Sequence, residues 1–452
     1  MNIEGLKRVY FIGIGGIGMS ALARFFAQRG VVVSGYDRTE TDLTKKLQSE
    51  GMSVHYVDDI SLLDKNAELV VYTPAIPKTH AGLNWYCDNN YPVYKRSDVL
   101  QWITESYFSI TVAGTHGKTT MSTMISYLLR EAGMGCNAFL GGVSVNYDTN
   151  YWSSETPTAV IEADEYDRSF LKLRPDIAVL TAMDADHLDI YGTPEEMENA
   201  YIEYTRNIKH NGTLLAKHGL KRASELSAAH VMTYSLQNDA ADVYASNITM
   251  KNGSYVFDLH YKDGLLEGLL LNMGGMHNVE NAVAAIAVTQ LLEVDADRVK
   301  KVLPAFKGVK RRFEYVVKND EVVYIDDYAH HPEELAALIK SARLLFSDKK
   351  CVVAFQPHLF TRTRDLAEGF AHSLDMADEV ILLDIYPARE EPIADVTSAM
   401  IKEKMGNPNC TILSKEGLLK YVQAAPLEVF ITAGAGDIDK LVEPIKSIIE
   451  TK

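Results

Sequence analysis

The chain has 452 residues, 47% hydrophobic and 23% charged, with 45 basic against 61 acidic residues and a net charge of −16. That length exceeds one ordinary core and implies two to four domains. The acidic balance argues against a nucleic-acid or anionic-membrane surface, which needs basic excess.

Residues 9–13 predict a strand, with no signal peptide expected ahead of it. A helix over 18–28, a strand over 31–36, a helix over 42–50 and a strand over 68–72 follow. Thr73-Pro74-Ala75 ends the last of these, and Val93 opens a shorter strand. This alternation implies a parallel sheet with crossover helices. At the first strand-to-helix junction Gly13-Ile14-Gly15-Gly16-Ile17-Gly18 satisfies G-x-G-x-x-G, and Asp37 ends the next strand. Such a loop lets a pyrophosphate approach bare backbone at a helix N-terminus. NAD, FAD and UDP-sugars all carry one, and the loop does not choose among them.

A second unit begins with the apolar run 108–113 and Gly114-Thr115-His116-Gly117-Lys118-Thr119-Thr120, ahead of a helical stretch. Strand, glycine loop, Gly-Lys-Thr and helix are the layout of a triphosphate-binding loop. Val112 stands where the general pattern G-x-x-x-x-G-K-[ST] has its first glycine. Two acidic clusters follow expected strands: Glu162-Ala163-Asp164-Glu165-Tyr166-Asp167 after 159–161, and Asp184-Ala185-Asp186-His187-Leu188-Asp189 after 177–181. Carboxylates beyond strands that neighbour a phosphate loop can hold Mg²⁺.

A helix over 195–208, a β-rich portion over 231–272 and a helix over 278–292 complete this unit. Asn278 is either the N-cap of the last helix or part of a base-facing set with His277 and Asn281. From about 310, strands over 322–325, 350–355, 380–383 and 429–432 imply a further doubly wound sheet. Ligands bind such sheets at the carboxyl ends of the strands, where three groups fall. These are Asp326-Asp327-Tyr328-Ala329-His330-His331-Pro332, Gln356-Pro357-His358 with Thr361-Arg362, and Gly434-Ala435-Gly436-Asp437. Adjacent histidines with no nearby cysteine suit zinc poorly. Arg311-Arg312 at the junction is placed to reach transferring phosphate. Four scattered cysteines without C-x-x-C, and no apolar run near the roughly 18 residues that span a bilayer, point to a reduced cytoplasm without membrane insertion.

Seven motifs occur in one order across about residues 8–440: G-T-H-G-K-T-T, E-A-D-E-Y-D-x-S-F, D-A-D-H-L-D-x-Y, H-N-x-x-N-A, R-R-F-E, D-D-Y-A-H-H-P and F-Q-P-H-x-x-T-R-T. Together they resemble the Mur ligases, whose phosphate loop is G-T-x-G-K-T, so Val112 is no defect in that frame. The likeness is to the bacterial member that starts the peptide of peptidoglycan precursors, rather than to the tripeptide-recycling ligase.

The resemblance implies an α/β chain of three domains. A Rossmann-like domain over 1–105 binds the UDP-sugar, and a central P-loop ATPase-like mixed sheet with a β-rich portion over 106–309 binds ATP. A Rossmann-like domain over 310–452 binds the amino acid and closes over the site. It further implies ATP-dependent joining of L-alanine to the lactyl carboxylate of UDP-N-acetylmuramate, through an acyl phosphate. Gly13, Gly15, Gly16, Gly18, Asp37 and Thr73 then serve the sugar nucleotide. Gly114, Thr115, His116, Gly117, Lys118, Thr119 and Thr120 serve ATP, with His277 and Asn281 at the adenosine. Thr119, Glu162 and His187 hold Mg²⁺, two ions in all, with Mn²⁺ as a substitute. Asp327, Tyr328, His330 and Arg362 shape the alanine and muramoyl end, and Lys118, Arg312 and His330 form the catalytic set. A monomer or weak homodimer in the bacterial cytoplasm, without nucleic-acid partners, is expected.

Three departures stand out. Residues 201–207 hold no lysine for the carbamylation that later-acting members use. Leu359-Phe360 replaces a common Arg-Tyr, and Tyr166 replaces a smaller residue. A dehydrogenase reading would leave the second phosphate loop and both acidic clusters without a role.

Overall fold

In a computed structural model that describes residue 3 and residues 5–262, 264–388 and 390–452, the apolar runs form three sheets. The first contains β1 (Arg8–Ile12), β2 (Val32–Tyr36), β3 (Ser53–His55), β4 (Leu69–Tyr72) and β5 (Val93–Lys95), all parallel in the order β3-β2-β1-β4-β5. Val9 to Ile12 are all buried, as expected of a parallel strand covered on both faces. The strand order reverses between β1 and β4, so the Gly13–Gly18 loop leaves β1 at the point where such sheets open a crevice. The three-residue β3 was too short to signal itself in the sequence.

The second sheet comprises β6 (Phe108–Ala113), β7 (Asn137–Ser144), β8 (Thr149–Trp152), β9 (Thr158–Glu162), β10 (Ile177–Leu180), β11 (Thr213–Lys217), β12 (His230–Ser235), β13 (Val243–Lys251), β14 (Ser254–Tyr261) and β15 (Gly264–Leu271). Its order is β15-β14-β13-β12-β11-β10-β6-β9-β7-β8. The strand that feeds the phosphate loop, β6, lies between β9 and β10, parallel to both. Val112 pairs with Glu162 on one side, and Ala113 pairs with Leu180 on the other. Both acidic clusters therefore leave the sheet beside the phosphate loop. The β-rich portion expected over 231–272 is the run β12 to β15.

The third sheet holds β16 (Glu314–Lys318), β17 (Val323–Asp327), β18 (Cys351–Phe355), β19 (Glu379–Leu382), β20 (Cys410–Ile412) and β21 (Val429–Ala433) in the order β16-β17-β21-β18-β19-β20. Only the pairing of β16 with β17 is antiparallel. Ala433 of β21 pairs with both Asp327 and Phe355, so the exits of β17, β18 and β21 lie together.

Contacts group the chain into two compact units. One comprises Met1–Ser246, Asp258–Glu267 and Glu280–Leu303; the other comprises Asn247–Phe257, Gly268–Val279 and Pro304–Lys452. Within the first, Arg24 of the helix Ile17–Ala27 is 3% exposed, ion-paired to Glu50, and donates to Asn150 of β8. Asn150 in turn donates to Ser20 Oγ at 3.0 Å, which ties the first glycine-loop helix to the second sheet. Cys136, Cys351 and Cys410 are buried and Cys87 is exposed, all of them free. Burial pushes the Cys136 and Cys351 thiols up to about 12. Among the described residues no helix is long and apolar enough to cross a membrane.

Candidate active site

The phosphate loop is shaped by glycine at two positions. Gly114 has φ +120° and Gly117 has φ +81°, a region that costs other residues about 1–2 kcal/mol. A β-carbon at Gly114 would fall 2.3 Å from Thr181 Oγ1, and one at Gly117 would fall 2.8 Å from Asn281 Oδ1. The helix Lys118–Glu131 starts directly at Gly117 with no side-chain cap. Its first N–H groups are thus left for an anion.

Lys118 Nζ donates to Gly114 O at 2.9 Å and to Glu165 Oε1 at 2.7 Å. Glu165 is 2% exposed, and its Oε2 is buried with no hydrogen-bond partner. Thr119 Oγ1 donates to Glu162 Oε1 at 2.9 Å, while Glu162 Oε2 accepts from Gly141 N at 2.9 Å. Burial pushes both glutamates above the usual carboxylate range, against the pull of Lys118. His187, at φ +48°, places Nε2 3.8 Å from Glu165 Oε1. One ligand atom each from Glu165, Asp186 and His187 lies within 4.8 Å of the others. An orphaned carboxylate oxygen with further oxygen donors and an imidazole suits a divalent cation.

The other expected nucleotide residues fall as follows. Thr115 Oγ1 donates to Asp184 O at 3.0 Å, and His116 Nε2 stands 3.5 Å from Asp184 Oδ2 on the surface. Thr120 is buried in the helix. The helix Met276–Leu291 begins before Asn278, which overturns the N-cap reading. Asn278 Nδ2 instead donates to Gly274 O at 2.6 Å. The His277 ring folds against Gly275.

At the first glycine loop, Gly13 N and Ile14 N donate to Tyr36 O at 2.8 and 3.0 Å. Gly15 N donates to Asp37 Oδ2 at 2.8 Å, so the Asp37 carboxylate holds the loop. Thr73 packs on Gly13, where a β-carbon would fall 2.9 Å from Thr73 Cγ2. Gly16 caps the helix Ile17–Ala27 without a side-chain bond.

In the second unit, Arg311 Nε donates to the fully buried Asp326 at 3.1 Å, and Thr432 Oγ1 donates to Asp326 Oδ1 at 2.6 Å. Arg312 is exposed. Asp327 accepts from Phe313 N at 2.6 Å and from Ala329 N at 2.7 Å. Burial nonetheless raises its carboxyl to about 6. Tyr328 is 42% exposed, with its ring 5.2 Å from that of His330. His330 Nδ1 lies 3.0 Å from Tyr328 O, a contact that assigns the proton to Nδ1 and leaves Nε2 as an acceptor. Burial pulls this imidazole below its ordinary pKa. Arg362 Nη1 is buried with no hydrogen-bond partner.

The family models described as "Mur ligase family, catalytic domain", "Mur ligase middle domain" and "Mur ligase, glutamate ligase domain" match residues 8–108, 112–289 and 311–436. The UDP-N-acetylmuramate–L-alanine ligase of Cytophaga hutchinsonii is 45% identical over 461 residues, covering 100% of this chain and 99% of the relative. The chain belongs to the Mur ligase family. The ligase of the same name from Porphyromonas gingivalis is 46% identical over 454 residues, covering 99% of this chain and 100% of the relative. The crystal structure of the UDP-N-acetylmuramate-alanine ligase of Thermotoga maritima superposes with a TM-score of 0.81 at 27% identity, covering 98% of each chain. A murein peptide ligase from Psychrobacter arcticus shares the fold, with a TM-score of 0.65 at 22% identity over 99% of each chain.

Two residues that the structure brings beside these glycine loops escaped the sequence reading. Glu165 was one acid among several in its cluster, and burial alone distinguishes it. Arg96 opens the helix Arg96–Ser106 after β5, and its Nη2 donates to Asp164 Oδ2 at 3.2 Å. Its signal was a basic pair, Lys95-Arg96, at a strand exit of the first sheet.

Proposed function

We propose that this Mur ligase joins L-alanine to UDP-N-acetylmuramate with ATP, giving UDP-N-acetylmuramoyl-L-alanine, ADP and phosphate, the first peptide-adding step of peptidoglycan precursor synthesis. The observation that carries the chemistry is the phosphate loop, whose Lys118 is held by the buried Glu165 and whose Thr119 is held by the half-buried Glu162, both at an adjoining strand exit. The full-length likeness to ligases of that name supports the substrates.

In the first step a lactyl carboxylate oxygen attacks the γ-phosphorus, and the bond to the β–γ bridging oxygen breaks to release ADP. Two anions must meet, so charge screening and alignment dominate. Lys118 reaches the β- and γ-phosphates, and backbone N–H groups from Gly114 to Thr120 cradle them. Thr119, Glu162 and His187, joined by Glu165, are the residues to hold Mg²⁺. Two ions are proposed, with Mn²⁺ able to replace them; bound there, the metal supplies positive charge to the phosphates. Asn281 beside the loop and His277 serve the adenosine, and Arg312 is assigned to the phosphates.

In the second step the alanine amine attacks the acyl carbon, the bond to phosphate breaks, and the nitrogen sheds a proton. His330 is the proposed acceptor: its lowered pKa keeps it neutral near pH 7, and its Nε2 carries the lone pair. Asp327, Tyr328 and Arg362 line the alanine and muramoyl end, where the unpaired Arg362 nitrogen offers a partner for a carboxylate. Gly13, Gly15, Gly16, Gly18, Asp37 and Thr73 serve the UDP portion. The domains proposed for these tasks span 1–105, 106–309 and 310–452, in a monomer or weak homodimer of the bacterial cytoplasm.

Phosphate release from ATP with UDP-N-acetylmuramate decides the reading when L-alanine, glycine, L-serine and the L-Ala-γ-D-Glu-meso-diaminopimelate tripeptide are compared. L-Alanine is expected to support the fastest release. Release with the tripeptide alone would overturn the specificity.

A further inference from the structure

The guanidinium of Arg96 packs against the last glycine of the first loop, with Nη1 nearest. A β-carbon at Gly18 would fall 2.2 Å from Nη1, 3.1 Å from Cζ and 3.3 Å from Cδ. Its other nitrogen, Nη2, reaches Asp164 at 3.2 Å. Asp164 follows β9 two residues after Glu162, the glutamate that grips Thr119 of the phosphate loop. Arg96 thus spans the ground from the proposed diphosphate site to the proposed phosphoryl-transfer site, all within one compact unit. Its side chain keeps 21% of its exposure.

Between the two lies a cavity of about 180 Å³. Leu100, Phe139 and Ile161 give it apolar walls, and Arg96, Asp164 and Glu162 supply its charges. It is smaller than the roughly 300 Å³ at which whole-ligand pockets begin, so it suits one end of a ligand rather than a complete nucleotide. Arg96 is ion-paired to Asp164 Oδ2 at 3.2 Å, so a further carboxylate reaches the guanidinium by taking the place of that oxygen. Glu162 is already committed to Thr119 and Gly141. Asp164 Oδ2 is therefore the partner that Arg96 can give up.

We infer that Arg96 binds the lactyl carboxylate of the sugar nucleotide, exchanging Asp164 for it, and so aims the nucleophile toward the phosphate loop. This rests on the ligase reading above. Guanidinium and carboxylate match in planar bidentate geometry, and the glycine at position 18 is what lets the arginine lie so close to the helix start. Asp164 acts as the resting counter-ion that keeps Arg96 in place before substrate arrives.

The test measures calorimetric binding of UDP-N-acetylmuramate and of UDP-N-acetylglucosamine, the same sugar nucleotide without the lactyl ether, to wild type, Arg96→Met, Arg96→Lys and Asp164→Asn. Arg96→Met is expected to weaken UDP-N-acetylmuramate by about 10- to 100-fold and to leave UDP-N-acetylglucosamine within about twofold. Arg96→Lys should recover part of the loss. Asp164→Asn, which frees the arginine without removing it, should tighten UDP-N-acetylmuramate alone, a result that a merely structural ion pair would not produce. Equal loss for both ligands would assign Arg96 to the diphosphate and overturn the carboxylate. Unchanged binding by Arg96→Met, or no tightening by Asp164→Asn, would overturn the exchange. A wild type that does not bind UDP-N-acetylmuramate would instead overturn the ligase reading itself.

Discussion

Two glycine loops leave parallel strands and open helices in this chain, and they differ in where their charge comes from. At Gly13–Gly18 the charged contacts come from elsewhere in the sheet: Asp37 after β2 and Arg96 after β5. At Gly114–Thr120 the loop carries its own lysine and hydroxyl, each bonded to a glutamate at the exit of β9. The shared backbone suits both of them to an anion. Only the second concentrates charge where bonds to phosphorus can break, so the first reads as a holder of substrate and the second as the place of reaction.

The largest expected break in that comparison is Lys118→Ala, which should cut turnover by about 10³-fold while circular dichroism stays that of wild type. Near-normal ADP formation would remove the distinction. Gly117→Ala comes next. With φ +81° and Asn281 Oδ1 in the way, ATP affinity measured by calorimetry should fall about 10-fold or more. Asp37→Ala takes the acceptor from Gly15 N–H. It should raise the KM for UDP-N-acetylmuramate about fivefold with kcat unchanged, and an unchanged KM would deny the loop its role.

A smaller effect separates Asp327 from both loops. Its carboxyl is raised to about 6, so between pH 4 and 6 the folded state holds a proton that the unfolded chain has lost. Stability from this group is present below about pH 4 and is lost as pH rises to 6, by at most about 1.4 kcal/mol per pH unit. Denaturant titrations of Asp327→Asn should show that slope removed. Smallest of all is Gly16→Ala: at φ −65° with its nearest contact at 3.5 Å, the substitution should change KM by less than about twofold. A severe loss there would show that ligand backbone or phosphate approaches closer than the loop's own geometry requires.

The inner strands of the two doubly wound sheets were legible as short apolar runs, most of them closed by glycine, aspartate or proline, whereas the edge strands β3, β16 and β20, short or polar, were not. The phosphate loop was legible because Gly114, Gly117 and Lys118 meet a backbone requirement that few residues satisfy. The hairpin β7–β8 was not: Gly141-Gly142 interrupts β7, and its register with β8 shifts between Phe139 and Ser144. One helix start was misjudged by two residues. The helix expected from Asn278 begins at Met276. Glu165 and Arg96 were hidden for a different reason. Their importance lies in burial and in a neighbour 47 or 68 positions away, which no local spacing encodes.

The four cysteines have a practical consequence. Cys136, Cys351 and Cys410 are buried, and Cys87 alone is exposed, on the helix Ala81–Asp88 that packs with the first sheet. Thiol reagents act on accessible thiolate, so a maleimide dye added to the native protein should mark a single position, Cys87. The wild-type chain therefore already contains the attachment point for a fluorescence reporter of sugar-nucleotide binding, with no cysteine to add or remove.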